Sequence, residues 1–260
     1  MPVRDTTATT NQTTAEAGLG ESTRLTGRDL EVLRLAGMDG LATLEALHHK
    51  FWAGASERTC RDRLRKLEKA GWLSSRYIDT PERRGVLVFT LTPLAVREFA
   101  ILTGHEPLYR EMPDRREIHQ QLLAQEARLQ LEKTLRARGL TLVEWAGERQ
   151  LRSEFYRNQS THLGLRTGYR AATASPTSRD FLELVDARAI ITNTATGKSW
   201  AVLVEIDGDY WGQRLRQKLT ALAQAAQPVV WITPPRRAGR VRAEITKVRA
   251  HNIELIVLQS

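Results

Sequence analysis

An acidic hairpin pattern within residues 181–218 is the clearest structural signal in the C-terminal half of this sequence. Its two apolar runs, LELVDARAII and WAVLVEID, flank the polar residues 193–197, a pattern that predicts two strands joined by a turn. Asp186 interrupts the first run, and Glu205 and Asp207 end the second. Because side chains alternate along a strand, Glu205 and Asp207 share one face, and hairpin pairing brings Asp186 close to them.

A cluster of three carboxylates repels itself unless protons or a cation neutralise it. A hard divalent cation takes oxygen ligands, so Asp186, Glu205 and Asp207 are candidate ligands for Mg²⁺ or Mn²⁺. Two alternatives stay open: the remains of a site that has lost its activity, or an ion-paired surface feature. In the second case the acids are neutralised by arginines that lie nearby in the sequence: Arg188, Arg214 and Arg216.

Charge and cysteine content narrow the classes of function. The 260 residues carry a formal net charge of +9, which favours a polyanionic partner such as nucleic acid or an acidic membrane surface. The single cysteine, Cys60, excludes an intrachain disulfide and a zinc site built from several cysteines. The sequence has neither a membrane-spanning apolar run nor a signal pattern, so we expect a cytoplasmic protein without a membrane partner.

The N-terminal part predicts a disordered tail and a small DNA-binding domain. Residues 1–22 contain almost no large apolar side chains, which is typical of disorder. Three short helical patterns then follow, the second beginning at Leu41, with a tight turn before the third. Two strand patterns enclose the polar turn DTPERRG, so we assign residues 23–112 to a winged helix-turn-helix domain.

The third helix has two distinct faces. At about 100° per residue, Cys60, Leu64 and Leu67 fall on one side and predict its buried face. The opposite side is cationic, and two arginines add charge at the tip of the wing. The predicted DNA contacts are therefore Arg58, Arg61, Arg65, Lys69, Arg83 and Arg84. Arginine contacts phosphates or guanine edges in the major groove, whereas the alternative is an ordinary solvated helix face.

The remaining residues, 113–260, predict a second domain of the α/β type, joined through a proline-containing linker at residues 104–115. A helix and a strand precede the acidic hairpin, and a polar loop is predicted at residues 160–179. A helix, the strand PVVWIT, a basic helix and the strand IELIVL follow. Short apolar strands that alternate with helices indicate a central sheet covered on both faces. We expect Trp200, Tyr210 and Trp211 to pack rather than to stack on bases.

Several segments together resemble the replication-relaxation family. They are LTxxDLxVL, the arginine-rich third helix, FTLTPLA, Ile118-His119, VEWAGERQLR and VEIDGDYWGQRLRQKL. That family combines a winged-helix DNA-binding domain with a domain similar to PD-(D/E)XK nucleases, and it is associated with plasmid replication, DNA relaxation and mobilisation. The resemblance covers residues 24–259 and implies an α/β and α+β fold with a mixed central sheet.

The resemblance also implies catalytic roles for individual residues. Asp186 matches the first acidic position of the PD-(D/E)XK pattern, and Glu205 matches the second. Asp207 stands where lysine is usual, and Lys218 is placed as a relocated lysine. Glu148 resembles an additional acid supplied by an early helix. In an active enzyme, Asp186 and Glu205 would hold Mg²⁺ or Mn²⁺ while a bound water attacks phosphorus.

Two functions follow as expectations. The first is a DNA-binding accessory protein of a plasmid or related mobile element, acting in replication, relaxation or mobilisation, with double-stranded DNA and replication or relaxase proteins as partners. The alternative is a metal-dependent DNA endonuclease targeted by its winged helix. Transcriptional regulation would leave the acidic hairpin unexplained.

Overall fold

The structure is a computed structural model that describes residues 24–79, 84–110, 112–154, 185–208 and 210–259. The predicted disordered tail, the polar loop predicted at residues 160–179 and Arg83 lie outside these ranges. The described chain is a mixture of helices and strands and contains a mixed five-stranded sheet. The expectation of a mixed α and β protein is therefore confirmed.

The N-terminal half folds around a small antiparallel sheet with the order β1-β3-β2. Its elements are α1 (Gly27–Asp39), β1 (Ala42–Thr43), α2 (Leu44–Phe51), α3 (Glu57–Lys69), β2 (Leu73–Ile78), β3 (Val86–Leu91) and α4 (Pro93–Thr103). The prediction that the second helix starts at Leu41 is wrong, because the short strand β1 precedes it and α2 begins at Leu44. Ala42 and Thr43 pair with Phe89 and Val88, and Thr43 then caps α2.

Local capping fixes the helices of this half, and an ion pair joins two of them. The Thr26 side chain accepts the Asp29 amide and the Asp29 carboxylate accepts the Thr26 amide, which forms a capping box at the start of α1. The same buried carboxylate receives the Arg63 guanidinium Nε at 2.9 Å. Because Arg63 lies on α3, this contact ties α1 to α3 beside the apolar face of Cys60, Leu64 and Leu67.

The C-terminal half contains the five-stranded sheet, with the order β4-β5-β6-β7-β8. Its elements are α5 (Arg115–Arg136), β4 (Leu140–Gly147), β5 (Ala187–Asn193), β6 (Ser199–Ile206), α6 (Gly212–Ala223), β7 (Val229–Thr233), α7 (Pro235–Lys247) and β8 (Ile253–Val257). The first three strands are antiparallel, and β6, β7 and β8 are parallel. The predicted hairpin, the flanking helices and the last two strands are all present.

Helices cover the sheet on both faces. On one face α5 packs against Val202 and Val204 of β6, and on the other α6 and α7 pack against Leu203 and Trp231. A strand buried on both faces has no need for polar alternation, which explains why every residue of Val229–Thr233 is buried. On β6 the alternation places Glu205 on the same face as Leu203, toward α6 and α7.

Helix α5 connects the two halves. The buried amide side chain of Gln125 donates to the Leu41 carbonyl at 2.5 Å and accepts from the Thr43 amide at 2.9 Å. Arg128 on the same helix pairs with Asp39 at the end of α1, at 3.8 Å. The small sheet and the large sheet therefore share one bridging helix.

The predicted linker also contacts the N-terminal half. The backbone amides of Leu108 and Tyr109 donate to the Gly37 carbonyl, each at 3.1 Å. The Tyr109 ring then packs so closely on Gly40 that an added Cβ would lie 2.7 Å from it. Gly40 also has a φ of 79°, a conformation that other residues rarely adopt. The domain boundary near residue 113 stays a prediction.

Candidate functional site

The predicted acidic residues lie at one end of the large sheet. Asp186 directly precedes β5, and Glu205 and Asp207 lie at the end of the antiparallel neighbour β6. Lys218 lies on α6, which covers the face of the sheet from which Glu205 projects. Because β5 and β6 are antiparallel, the start of β5 and the end of β6 lie at the same end of the sheet. The hairpin thus brings these residues together there.

Glu205 and Lys218 form a buried ion pair. Lys218 Nζ lies 3.0 Å from Glu205 Oε2, and the two side chains are 4% and 0% exposed. Burial raises the pKa of Glu205 well above its usual range, and the neighbouring Asp186 carboxyl raises it further. Lys218 and a hydrogen bond with the Tyr210 hydroxyl act in the opposite direction. Burial of the Tyr210 hydroxyl raises the pKa of Tyr210, and the nearby Glu205 carboxyl raises it further.

Asp186 is anchored to the neighbouring strand. Its Oδ2 accepts a hydrogen bond from the Ile206 amide at 2.7 Å. Burial raises its pKa to about 6, even though the Ile206 amide and Lys218 favour the charged form. The structure therefore brings Asp186 close enough to Glu205 to raise the pKa of the Glu205 carboxyl.

Asp207 has a separate set of partners. The Thr233 hydroxyl donates to its Oδ2 at 2.5 Å, and Arg237 Nε lies 2.8 Å from the same oxygen. Thr233 ends β7 and Arg237 lies in the first turn of α7, so the contact spans the loop between these elements. The charge of Asp207 is held within the protein by a buried arginine.

Glu148 begins a helical segment that directly follows β4. Its carboxylate pairs with Arg152, and its charge raises the pKa of Asp186. Glu148, Asp186 and Asp207 all line a cleft between the large sheet, α5 and the end of α1. The four predicted catalytic acids thus lie in one region, although Glu205 is fully buried and does not line the cleft.

The surface ion-pair alternative does not fit the structure. Glu205 and Asp207 are buried, and their basic partners are Lys218 and Arg237. The arginines nominated from the sequence have other contacts: Arg188 pairs with Glu154, Arg216 pairs with Glu244, and Arg214 lies over the Tyr210 ring.

The predicted metal ligands do not form a ready cation site. Across the described ranges, no group of three or more His, Cys, Asp or Glu side chains is arranged to hold a metal ion. Asp186 and Glu205 supply oxygen donors of the kind that Mg²⁺ and Mn²⁺ prefer. An ion bound there would compete with the Lys218 ammonium for Glu205. The metal-binding and catalytic roles stay predictions.

The predicted DNA-contacting residues project outward from α3. Arg58 and Arg65 are 89% and 68% exposed in their side chains, and Lys69 and Arg84 are also exposed. Arg61 is partly covered and pairs with an acid on the preceding turn. Acidic residues reduce the charge of this face through three pairs: Arg61 with Glu57 at 2.9 Å, Arg65 with Asp62 at 3.6 Å and Arg58 with Asp62 at 3.9 Å.

The aromatic residues near the site behave differently from one another. Trp200 is partly buried against the core, and Tyr210 packs edge-on against Trp231 with ring centroids 6.3 Å apart, as predicted for packing residues. Trp211 is 56% exposed, so the prediction of packing is wrong for this residue. It is the residue directly before α6, at the N-cap position. Arg237 was missed because the sequence shows only that it begins a basic helix.

Comparisons with known proteins do not place this chain in a family. No protein family, curated protein or solved structure matches it. The resemblance to the replication-relaxation family therefore stays a prediction. Within the described ranges, every helix is too short or too polar to cross a membrane.

Proposed function

We propose that this chain is a DNA-binding accessory protein of a plasmid or related mobile element, acting in DNA replication, relaxation or mobilisation. The observation that carries the proposal is the outward cationic face of α3. The side chains of Arg58 and Arg65 are exposed and do not pack in the core, and the opposite face of their helix is fully buried. Long cationic side chains on such a helix suit contacts with phosphates and guanine edges.

The order of elements supports a winged helix-turn-helix. A turn separates α2 from α3, and the hairpin β2-β3 follows α3 directly. In this arrangement α3 corresponds to the recognition helix that enters the major groove. Arg84 lies near the tip of the hairpin β2-β3, where it could reach the phosphate backbone of DNA next to the major groove.

The C-terminal half supports a nuclease-like scaffold. Along the chain, α5 and β4 precede the hairpin β5-β6, which is followed by α6 and the parallel strand β7, with Asp186 directly before β5 and Glu205 on β6. This order agrees with the proposed PD-(D/E)XK-like domain. Lys218 and Arg237 already neutralise Glu205 and Asp207. We therefore propose that the protein binds DNA and recruits replication or relaxase proteins, in preference to cleaving DNA.

The test compares duplex binding by matched variants of the full chain. Arg58→Ala/Arg65→Ala should weaken binding and lower the salt slope by about two, since each phosphate contact contributes about 0.9. Arg110→Ala/Arg138→Ala removes the same charge from exposed arginines outside α3 and should bind like wild type. Fluorescence anisotropy across a salt series measures both quantities. Equal affinity and slope for the two double variants would overturn the proposal.

A metal-dependent endonuclease is the second candidate, favoured by the proximity of Asp186, Glu205 and Lys218. Asp186 and Glu205 would hold Mg²⁺ or Mn²⁺, and such an ion would supply Lewis-acid activation of water. Lys218 would stabilise negative charge near the reacting phosphate. Nicking of supercoiled DNA by wild type but not by Asp186→Asn would support this function, provided that Glu254→Gln, an exposed control, retains nicking.

A further inference from the structure

An exposed tryptophan lies among arginines where α6 and α7 begin. The Trp211 side chain lies outside the core. In the described ranges, Trp211 is one of a few large apolar residues that are strongly exposed. The guanidinium carbons of Arg237 and Arg240 lie 4.8 Å and 4.7 Å from its ring centroid. Arginines at this distance favour the indole face and keep a positive charge beside it.

The two helices that carry this residue are strongly basic. Helix α6 contains no acidic residue, and α7 contains one, Glu244, which pairs with Arg216 and Lys247. These two helices also carry four exposed arginines: Arg214, Arg236, Arg240 and Arg242. The surface therefore suits a polyanion.

We propose that the Trp211 surface, formed by Trp211 and Arg240 together with the exposed Arg214 and Arg236 of the same two helices, binds single-stranded DNA. An unpaired base can stack on an exposed indole while its phosphates contact neighbouring arginines. The bases of a duplex are already stacked on each other and do not reach such a ring. The inference deepens the proposed function by naming a second form of DNA, and it depends on residues other than those of α3.

A lipid surface fits these observations less well. Binding to a bilayer needs a continuous apolar face on the helix that lies in the interface. Trp211 is the single strongly exposed large apolar residue of α6 and α7 in the described ranges, because the others lie on β2, α4 and β4: Tyr77, Ile101 and Val143. One indole among arginines matches an unpaired base with its phosphates better than it matches acyl chains.

The Trp211 surface adjoins the acidic cleft. Arg237 lies beneath the indole, donates to the Tyr210 carbonyl at 2.5 Å and pairs with Asp207. Tyr210 and Asp207 both line the cleft. The Trp211 surface therefore lies next to Asp207, one of the predicted catalytic acids.

The experiment measures binding of the full chain to a fluorescein-labelled oligothymidine and to a labelled duplex by anisotropy. Trp211→Ala should weaken oligothymidine binding about tenfold, which corresponds to the stacking of one base, and Arg240→Ala should weaken it as well. Trp211→Phe should retain most of the affinity because it keeps an aromatic face. Ile101→Ala removes another exposed apolar side chain, on α4, and should have no effect.

The duplex measurements separate this inference from the proposed function. Trp211→Ala should keep duplex affinity, whereas Arg58→Ala/Arg65→Ala should lose it and keep oligothymidine binding. Wild-type oligothymidine affinity in both Trp211→Ala and Arg240→Ala would overturn the inference. Equal losses for the two DNA forms in Trp211→Ala would also overturn it, since they would indicate a general phosphate contact.

Discussion

The ammonium group of Lys218 lies 3.0 Å from the Glu205 carboxylate, in a position where neither side chain is accessible to water. Removing two charges from water is unfavourable unless each remains paired with the other. Lys218 thus has a structural task in addition to the catalytic role implied by the family resemblance. The stability of the protein should depend on both members of the pair.

Replacing Lys218 by methionine should lower the free energy of unfolding at neutral pH by about 3–5 kcal/mol, because Glu205 would remain as an uncompensated buried acid. The double variant Glu205→Leu/Lys218→Met should recover much of this loss. Lys247→Met, which removes an exposed lysine from α7, should change stability by less than about 0.5 kcal/mol. Urea denaturation measures all three. A single variant as stable as the Lys247 control would show that the pair contributes little.

The Asp186 carboxyl predicts a pH dependence of stability. Its pKa rises from 3.8 to about 6 in the folded protein, mainly through burial. Between these values the folded protein keeps a proton that the unfolded chain releases, so this group's contribution to stability falls as pH rises through that interval. Asp186→Asn cannot titrate there but keeps an oxygen for the Ile206 amide.

The variant should therefore lose less stability than wild type as the pH is raised from about 3 to about 7, the interval that spans both pKa values. Urea denaturation at a series of pH values provides the comparison. Glu106→Gln, at an exposed position, is the control and should follow the wild-type curve. Identical curves for Asp186→Asn and wild type would contradict the burial of a titrating acid.

Because Gln125 joins the N-terminal and C-terminal halves, we expect the stability of each half to depend on the other. Its amide is buried and bonds to the Leu41 carbonyl and the Thr43 amide at once. Gln125→Leu leaves both backbone groups without that partner and should lower the free energy of unfolding by about 2–4 kcal/mol. Gln130→Leu, on the same helix, loses only a contact to Thr134 and serves as the control in thermal melts. Matching melting temperatures in the two variants would show that the bridge is dispensable.

Periodicity explains why much of the fold could be predicted. Cys60, Leu64 and Leu67 recur at helical spacing, and all three are fully buried on α3. The runs WAVLVEID and PVVWIT are long enough to identify β6 and β7. By contrast, β1 contains only Ala42 and Thr43, and two residues are too few to show a period of two.

The site was predicted less completely because its contacts join elements that are distant in sequence. The sequence places Glu205 and Asp207 on one face, but it does not show that Glu205 meets Lys218 and that Asp207 meets Arg237. Those contacts depend on how α6 and α7 lie across the sheet. Nor does composition reveal that Trp211 stays exposed, since exposure depends on where the chain leaves the sheet before α6.

Arg237 and Arg240 provide the sharpest matched pair, because both lie over the Trp211 ring at nearly equal distances. Arg237 is buried, pairs with Asp207 and donates to the Tyr210 carbonyl, whereas Arg240 is exposed. Arg237→Ala leaves a buried carboxylate without its cation and should lower the free energy of unfolding by about 3–5 kcal/mol.

Arg240→Ala should change that free energy by less than about 0.5 kcal/mol, since it removes only surface contacts. Arg237→Ala should also become less destabilising when combined with Asp207→Asn, because the acid that it leaves unpaired is then neutral. Urea denaturation of the two arginine variants and the double variant measures these differences. Equal stability of Arg237→Ala and Arg240→Ala would show that the charge of Asp207 is not held by Arg237, and the buried acid would then need another source of positive charge.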